Sequence, residues 1–279
     1  MNAEQDSQLY RDVSMRKQVG RLLERELFDI AFQNIVIDET HVLEEVKRAT
    51  ERGEGLIILF NHPSSRDPIA LFQGVIFQPG FIDKQITSPM AYHQFGKTMR
   101  VLSRVGSFPV YPIVTSDAEA HLRDRGILFS KEYKESLMDE YLHHAIEVLS
   151  YGGIVPLAPQ AGRRKRLYEK PLKKGFPMLY NEIEKHPDLF HRVNVLCVGI
   201  HIENADYDEE TTRGFNLSKR YQLRIGRFSS LDTIKSETLA LMDCTDESLR
   251  FKAKFMTALN EYIYEELSHV VDPSYVGNK

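Results

Sequence analysis

Leu56-Ile57-Ile58-Leu59-Phe60 is an unbroken apolar run, bounded by Gly53 and Gly55 before it and Asn61-His62-Pro63 after it. Its length is that of a strand, and its lack of polar alternation means that both faces are shielded from water. Strands of that kind belong to parallel sheets covered by helices on both sides. Ile154–Leu157, behind Gly152-Gly153, and Val193–Ile202 repeat the pattern, while 221–228 alternates in the strand manner. Weaker strands are predicted over 85–88 and 107–114, the second short or at an edge because of Pro109 and Pro112.

Helical spacing fills the intervals. Val19, Leu22, Leu23, Leu27, Ile30 and Ala31 predict a helix over about 4–34, and Val42, Leu43, Val46 and Ala49 a second over 40–52. Asp67-Pro68 is a helix-opening pair, an N-cap acid followed by a proline at the first helical position. Further helices are predicted over 95–105, over Lys131–Ser150 and over 251–271. Strands that alternate with helices give an α/β fold, a mainly parallel central sheet flanked by helices. The expected division is a small N-terminal helical appendage at 1–52 and an α/β domain at 53–279.

Several classes of function are disfavoured at this point. No apolar stretch approaches the roughly 20 residues that span a bilayer, and the polar start of the chain has no apolar signal core, so a cytoplasmic protein is expected. Cys197 and Cys244 are the only cysteines and form no CxxC pair, which suits a reducing compartment. A net charge of -4 gives no reason to expect a nucleic-acid partner. One basic block stands out, formed by Arg163, Arg164, Lys165, Arg166, Lys170, Lys173 and Lys174. No Gly-x-Ser-x-Gly elbow, HExxH or paired Cys/His set occurs. The stretch 91–98 satisfies a relaxed P-loop pattern, but Tyr92, His93, Gln94 and Phe95 fill a loop that must be small to cradle phosphate.

The chemistry concentrates in Asn61-His62-Pro63-Ser64-Ser65-Arg66-Asp67. Here a histidine follows a buried strand and an aspartate opens the next helix. A short loop lets the carboxylate accept from the imidazole Nδ1–H, leaving Nε2 to take a proton from a substrate hydroxyl. The carboxyl ends of such strands are where open α/β sheets bind ligands. The same spacing also fits a loop histidine beside an aspartate that only caps a helix. It recurs in His201 and Asp206, where Ile202-Glu203-Asn204 continues the strand pattern and no helix-opening Asp-Pro follows.

The order of further segments favours the catalytic reading. His62 to Asp67 resembles the His-x4-Asp block of the glycerol-3-phosphate and lysophosphatidate acyltransferases. Phe95-Gly96, with Gly106-Ser107-Phe108-Pro109-Val110 after it, looks like that family's second block, although Tyr111-Pro112 stands where an arginine is usual. Leu157-Ala158-Pro159-Gln160-Ala161-Gly162-Arg163 is similar to the third block, in a form nearest the soluble plastid-type glycerol-3-phosphate acyltransferases. Val195–Ile200 sits where the family has its fourth, apolar strand, so the likeness spans about residues 55–202.

The resemblance implies an O-acyltransferase with His62 as general base and Asp67 as its orienter. The expected acyl donor is acyl-CoA or acyl carrier protein. The acceptor is a hydroxyl of glycerol 3-phosphate or a lysophospholipid, and no metal or organic cofactor is expected. Physically, Gln160-Ala161-Gly162 is a small-residue turn that lets backbone N–H groups approach a ligand, and Arg163 and Lys165 add charge suited to a phosphate. The resemblance assigns acceptor-phosphate binding to Arg163 and Lys165, and Gln160 and Gly162 complete the expected substrate site. Gln160 replaces the family's usual glutamate. The remaining cations suit peripheral contact with anionic lipid, with Tyr168, Leu172, Phe176 and Leu179 either as its apolar side or in the core. The rival reading is a non-catalytic lipid- or anion-binding protein on the same scaffold.

Overall fold

A computed structural model describes residues 35–38, 40–62, 71–76, 81, 84–92, 110–160, 166–168, 175–202, 221–242 and 250–277 of the chain. Seven strands are present among them: β1 (Ile35–Asp38), β2 (Gly55–Phe60), β3 (Ser88–Ala91), β4 (Val110–Ile113), β5 (Ile154–Leu157), β6 (Val193–Ile202) and β7 (Tyr221–Ser230). The central sheet has the order β1-β7-β6-β2-β5. β2 runs parallel to both neighbours, and β7 is antiparallel to β6 and parallel to β1. The α/β architecture and a mostly parallel, mixed central sheet flanked by helices are therefore as expected, with β1 and β7, which run opposite to the other three strands, the departure from uniform direction.

β2 is buried along its whole length because it lies inside two cores at once. Ile57 and Leu59 pack into one, and Leu56, Ile58 and Phe60 into the other, as the period-two alternation of a strand requires. The first core is covered by α3 (Lys131–Ser150), α4 (Gly175–Ile183), α6 (Leu231–Leu241) and α7 (Arg250–Val270). The second is covered by α1 (Thr40–Glu51) and a π-helical turn at Phe72–Ile76. α2 (Ser116–Arg123) links β4 to α3, and the short helices α5 (Pro187–Phe190) and α8 (Pro273–Val276) complete the set. None of the helices among the described residues is long and apolar enough to cross a membrane.

Pro156 explains why β3 and β4 form their own two-stranded sheet. The Ile154 N–H donates to Gln85 O at 2.8 Å and Thr87 N–H to Ile154 O at 3.0 Å, so 85–87 begins as a neighbour of β5. Two residues on, the same side of β5 presents Pro156, which has no N–H to donate. The backbone ladder stops there, and the Ser88 hydroxyl donates instead to Pro156 O at 3.1 Å. β3 then pairs in parallel with β4. The strand expected at 85–88 is thus observed three residues later, with only a single bridge at Ile86.

The helix at 40–52 is present, but Ile35–Asp38, which falls within the expected helical appendage, is an outer strand of the main sheet. The helix predicted over 4–34, the one opening at Asp67-Pro68 and the one over 95–105 lie outside the described residues. α3 and β5 match their expected limits, and Gly152 closes α3 with φ +70°. Phe176 and Leu179 are fully buried in the first core, so of the two readings of that apolar set they take the core one. Cys197 is buried as well, and burial pushes its thiol up to about 12.

Candidate functional site

The strands β2, β5 and β6 end at one edge of the sheet, and the chain leaves that edge in two directions. From β2 it travels past β5 to β3; from β6 it travels to β7 on the other side. The crevice between the carboxyl ends of β2 and β6 is thus a topological switch point, the place where open α/β sheets bind their ligands. Asn61 and His62 occupy it.

Asn61 is 3 % exposed. Its Nδ2 donates to Ile200 O at 3.0 Å, and its Oδ1 accepts from Ile200 N–H at 2.6 Å. One side chain therefore performs both halves of a backbone pairing and extends the β2–β6 ladder beyond Phe60. This residue was quoted in the sequence motif without a role. The signal was there: an amide directly after a fully buried strand must find partners or lose its hydration without compensation.

His62 follows, half-buried, with its ring edge-on to Phe60 at 6.1 Å between centroids. Its backbone N–H donates to Gln160 Oε1 at 2.9 Å. Gln160, also 3 % exposed, uses the other end of its amide to donate from Nε2 to Arg166 O at 3.1 Å. A single buried amide thus joins the backbone of His62 to that of Arg166, the residue that follows Lys165 in the sequence. Gln160 was expected among the substrate-binding groups; both ends of its amide are bonded to backbone.

Of the other expected site residues, Asp67, Gly162, Arg163 and Lys165 lie outside the described residues. What the structure brings together is His62 and Gln160. His62 follows β2 and Gln160 follows β5, an adjacent parallel strand, so both stand at the same edge of the sheet. Tyr111, which stands where the resembled family has an arginine, packs at the β4–α3 junction. Its ring lies 5.6 Å from His144 and 6.4 Å from Tyr141, and its hydroxyl is 3.5 Å from Glu140 Oε2. His201 sits one residue beyond Ile200 in β6 and turns its ring edge-on to Tyr275 at 5.2 Å. Among the described residues no three His, Cys, Asp or Glu side chains converge as a metal site.

No known protein family's profile matches the chain, and no curated protein matches it either.

Proposed function

We propose that the chain is an O-acyltransferase that moves a fatty acyl group from acyl-CoA or acyl carrier protein to a hydroxyl of glycerol 3-phosphate or a lysophospholipid. The observation that carries this reading is the bridge from His62 N–H through Gln160 to Arg166 O. It ties the backbone of the candidate base to Arg166, which follows the candidate phosphate cation Lys165 in the sequence, at the switch point of the sheet.

In this reading His62, oriented by Asp67, takes the proton of the acceptor hydroxyl as its oxygen attacks the thioester carbonyl. The tetrahedral intermediate collapses, the carbon–sulfur bond breaks and the thiolate receives the proton from His62. General-base help of this kind is worth roughly 10²–10⁴ in rate. Arg163 and Lys165, beside the Gly162 turn, hold the acceptor's phosphate and so fix its hydroxyl near the imidazole, a positioning effect worth several kcal/mol at least. The chemistry needs no cofactor beyond the acyl thioester. Cytoplasmic placement with peripheral contact to a bilayer belongs to the same reading, since the acylated product partitions into lipid.

Tyr111, packed onto the aromatic face of α3 where an arginine would stand, favours a second reading: a lipid- or anion-binding protein that kept the scaffold. One assay separates the two. Purified protein and its His62→Ala form are given acyl-CoA or acyl carrier protein with glycerol 3-phosphate or lysophosphatidate. Acylated product from the native chain, reduced at least a hundredfold by His62→Ala, supports transfer. Equal turnover in both forms removes His62 as the base, and ligand binding without product in either form supports the binder.

A further inference from the structure

Residues far apart in sequence close a ring of hydrogen bonds at the carboxyl edge of the sheet. Asn61 joins the end of β2 to Ile200 in β6, and Gln160 joins His62 to Arg166 O. The N–H of that same peptide group, carried by Leu167, donates to Tyr275 O at 2.6 Å, and Tyr168 N–H donates to Val276 O at 3.0 Å. Tyr275 then returns to the sheet. Its hydroxyl accepts from Ile202 N–H at 3.2 Å and donates to Ile202 O at 3.4 Å. The circuit thus runs from Asn61 and His62 through Gln160, the Arg166–Leu167 peptide and Tyr275 to β6, and so back to Asn61.

Tyr275 is fully enclosed, and so is Leu167, which it holds. Polar groups shut in this way keep their partners, because an unpaired buried group has lost its water without compensation. The start of α8 is braced in turn: Asp272 accepts from Ser274 N–H at 3.1 Å and pairs with Arg224 of β7 at 3.3 Å. Gly277, at φ +79°, lies so close to Arg166 that a side-chain carbon there would stand 3.0 Å from Arg166 Cβ. The Arg166–Leu167 peptide is therefore gripped at its oxygen by Gln160 and at its nitrogen by Tyr275.

The gripped residues sit inside the basic block of the sequence. Arg163, Arg164 and Lys165 come immediately before Arg166, and Lys170, Lys173 and Lys174 follow Tyr168. Arg166 is itself exposed. α8 and Gly277, by contrast, lie well beyond the stretch that resembles the acyltransferases. We propose that Tyr275 is a positioning residue of the His62 site: it anchors the basic block beside the candidate base, so that binding of a phosphate-bearing ligand depends on the C-terminal segment. Cations whose backbone is fixed in advance bind a phosphate more tightly than cations that must be ordered on binding. The purpose of the anchoring rests on the acyltransferase reading, but phosphate binding requires no turnover, so the two ideas fail separately.

The test is titration calorimetry of the native protein and three variants with inorganic phosphate. Tyr275→Phe keeps the ring and the backbone bond to Leu167 but removes the hydroxyl from Ile202. Gly277→Val puts a branched side chain at a positive φ and crowds Arg166 from a half-buried position. Each is expected to weaken phosphate binding about tenfold, the effect of a modest misplacement of the binding groups. Tyr262→Phe, which breaks the bond to Glu237 elsewhere on the sheet, is the control: it lowers stability and leaves phosphate affinity unchanged. In the acyl-transfer assay the first two variants are expected to raise KM for glycerol 3-phosphate about tenfold while kcat at saturating acceptor stays near native. No phosphate binding by the native chain, native affinity in either Tyr275→Phe or Gly277→Val, or an equal loss in all three variants overturns the proposal. Phosphate binding that follows the expected pattern without acylated product overturns the acyltransferase reading and supports the role of Tyr275.

Discussion

Gln160 accepts from the backbone nitrogen of His62 and at the same time donates to the backbone oxygen of Arg166, and it does so from a buried position. At neutral pH an amide satisfies both partners with one planar group, which an ionised carboxylate cannot do. A glutamate, the residue usual in the acyltransferases this segment resembles, would still accept from His62, but when ionised it would set a second negative oxygen against a carbonyl. Gln160→Glu is therefore expected to destabilise at neutral pH by about 1–3 kcal/mol or more. The pH dependence has a definite sign. Burial raises the folded-state pKa of the new carboxyl, so the native state binds the extra proton and stability falls as pH rises from about 4 through that raised value. Urea unfolding of the native and variant chains at acid and neutral pH checks this; a deficit that shrinks on acidification is the expected result, and a constant one counts against it.

Asn61 carries the corresponding role towards β6. Its removal leaves the N–H and the carbonyl of Ile200 buried without their partner. Each orphaned group costs on the order of 1–3 kcal/mol, so Asn61→Ala is expected to lose roughly 2–4 kcal/mol in denaturant unfolding. Asn61→Asp retains the acceptor for Ile200 N–H and loses the donor to Ile200 O. Its loss comes with a buried charge, and so its deficit is expected to grow above the carboxyl's raised pKa. If Asn61→Ala proves as stable as the native chain, the side chain is not a structural extension of the ladder.

The fold was legible wherever a single physical requirement dominated a segment. β2, β5 and β6 are continuous apolar runs because they are covered on both faces, and the end of α3 is announced by Gly152. β1 was missed because Ile35–Asp38 is four residues long, with one acid, and is only half-buried at the margin of the sheet. The reversal of β7 left no mark that composition could carry, since alternation along 221–228 states that one face is wet but not which way the strand runs. At the site, the position of His62 followed from the strand before it. The partner of Asn61 and the His62 partner of Gln160 did not, because they lie 139 and 98 residues away and are backbone atoms, which sequence does not distinguish.

Tyr262 and Glu237 set part of the pH response of the opposite side of the sheet. The Tyr262 hydroxyl donates to Glu237 Oε2 at 2.5 Å, and Arg227 donates to the same carboxylate. The hydrogen bond from Arg227 and then that from Tyr262 hold Glu237 below the usual carboxylate range. A depressed folded-state pKa means that the native state binds fewer protons, so this stabilisation is complete above the unfolded value of about 4.3 and is lost as pH falls through the folded one. Tyr262→Phe is expected to raise the Glu237 pKa towards normal and to lower the melting temperature at neutral pH, with the difference narrowing under acid. Carboxyl titration followed by nuclear magnetic resonance reads the shift directly, and an unmoved Glu237 in the variant would falsify the assignment.

The end of α7 presses on the sheet through two glycines that fail in different ways when enlarged. A side-chain carbon at Gly199 would stand 2.1 Å from Val270 O, a backbone atom, whereas one at Gly226 would stand 2.3 Å from Val270 Cγ1, a side-chain atom. Both alanine variants are overpacked, at a cost of about 1–3 kcal/mol each, and Gly199→Ala belongs at or above the upper end because α7 itself must move. Val270→Ala removes the methyl that blocks Gly226→Ala and leaves the carbonyl that blocks Gly199→Ala. In double-mutant cycles, then, Gly226→Ala with Val270→Ala should be more stable than the sum of the single losses by about 1 kcal/mol, while Gly199→Ala with Val270→Ala should be close to additive. Rescue of Gly199→Ala by the smaller residue at 270 would show that α7 does not rest its backbone on β6 there.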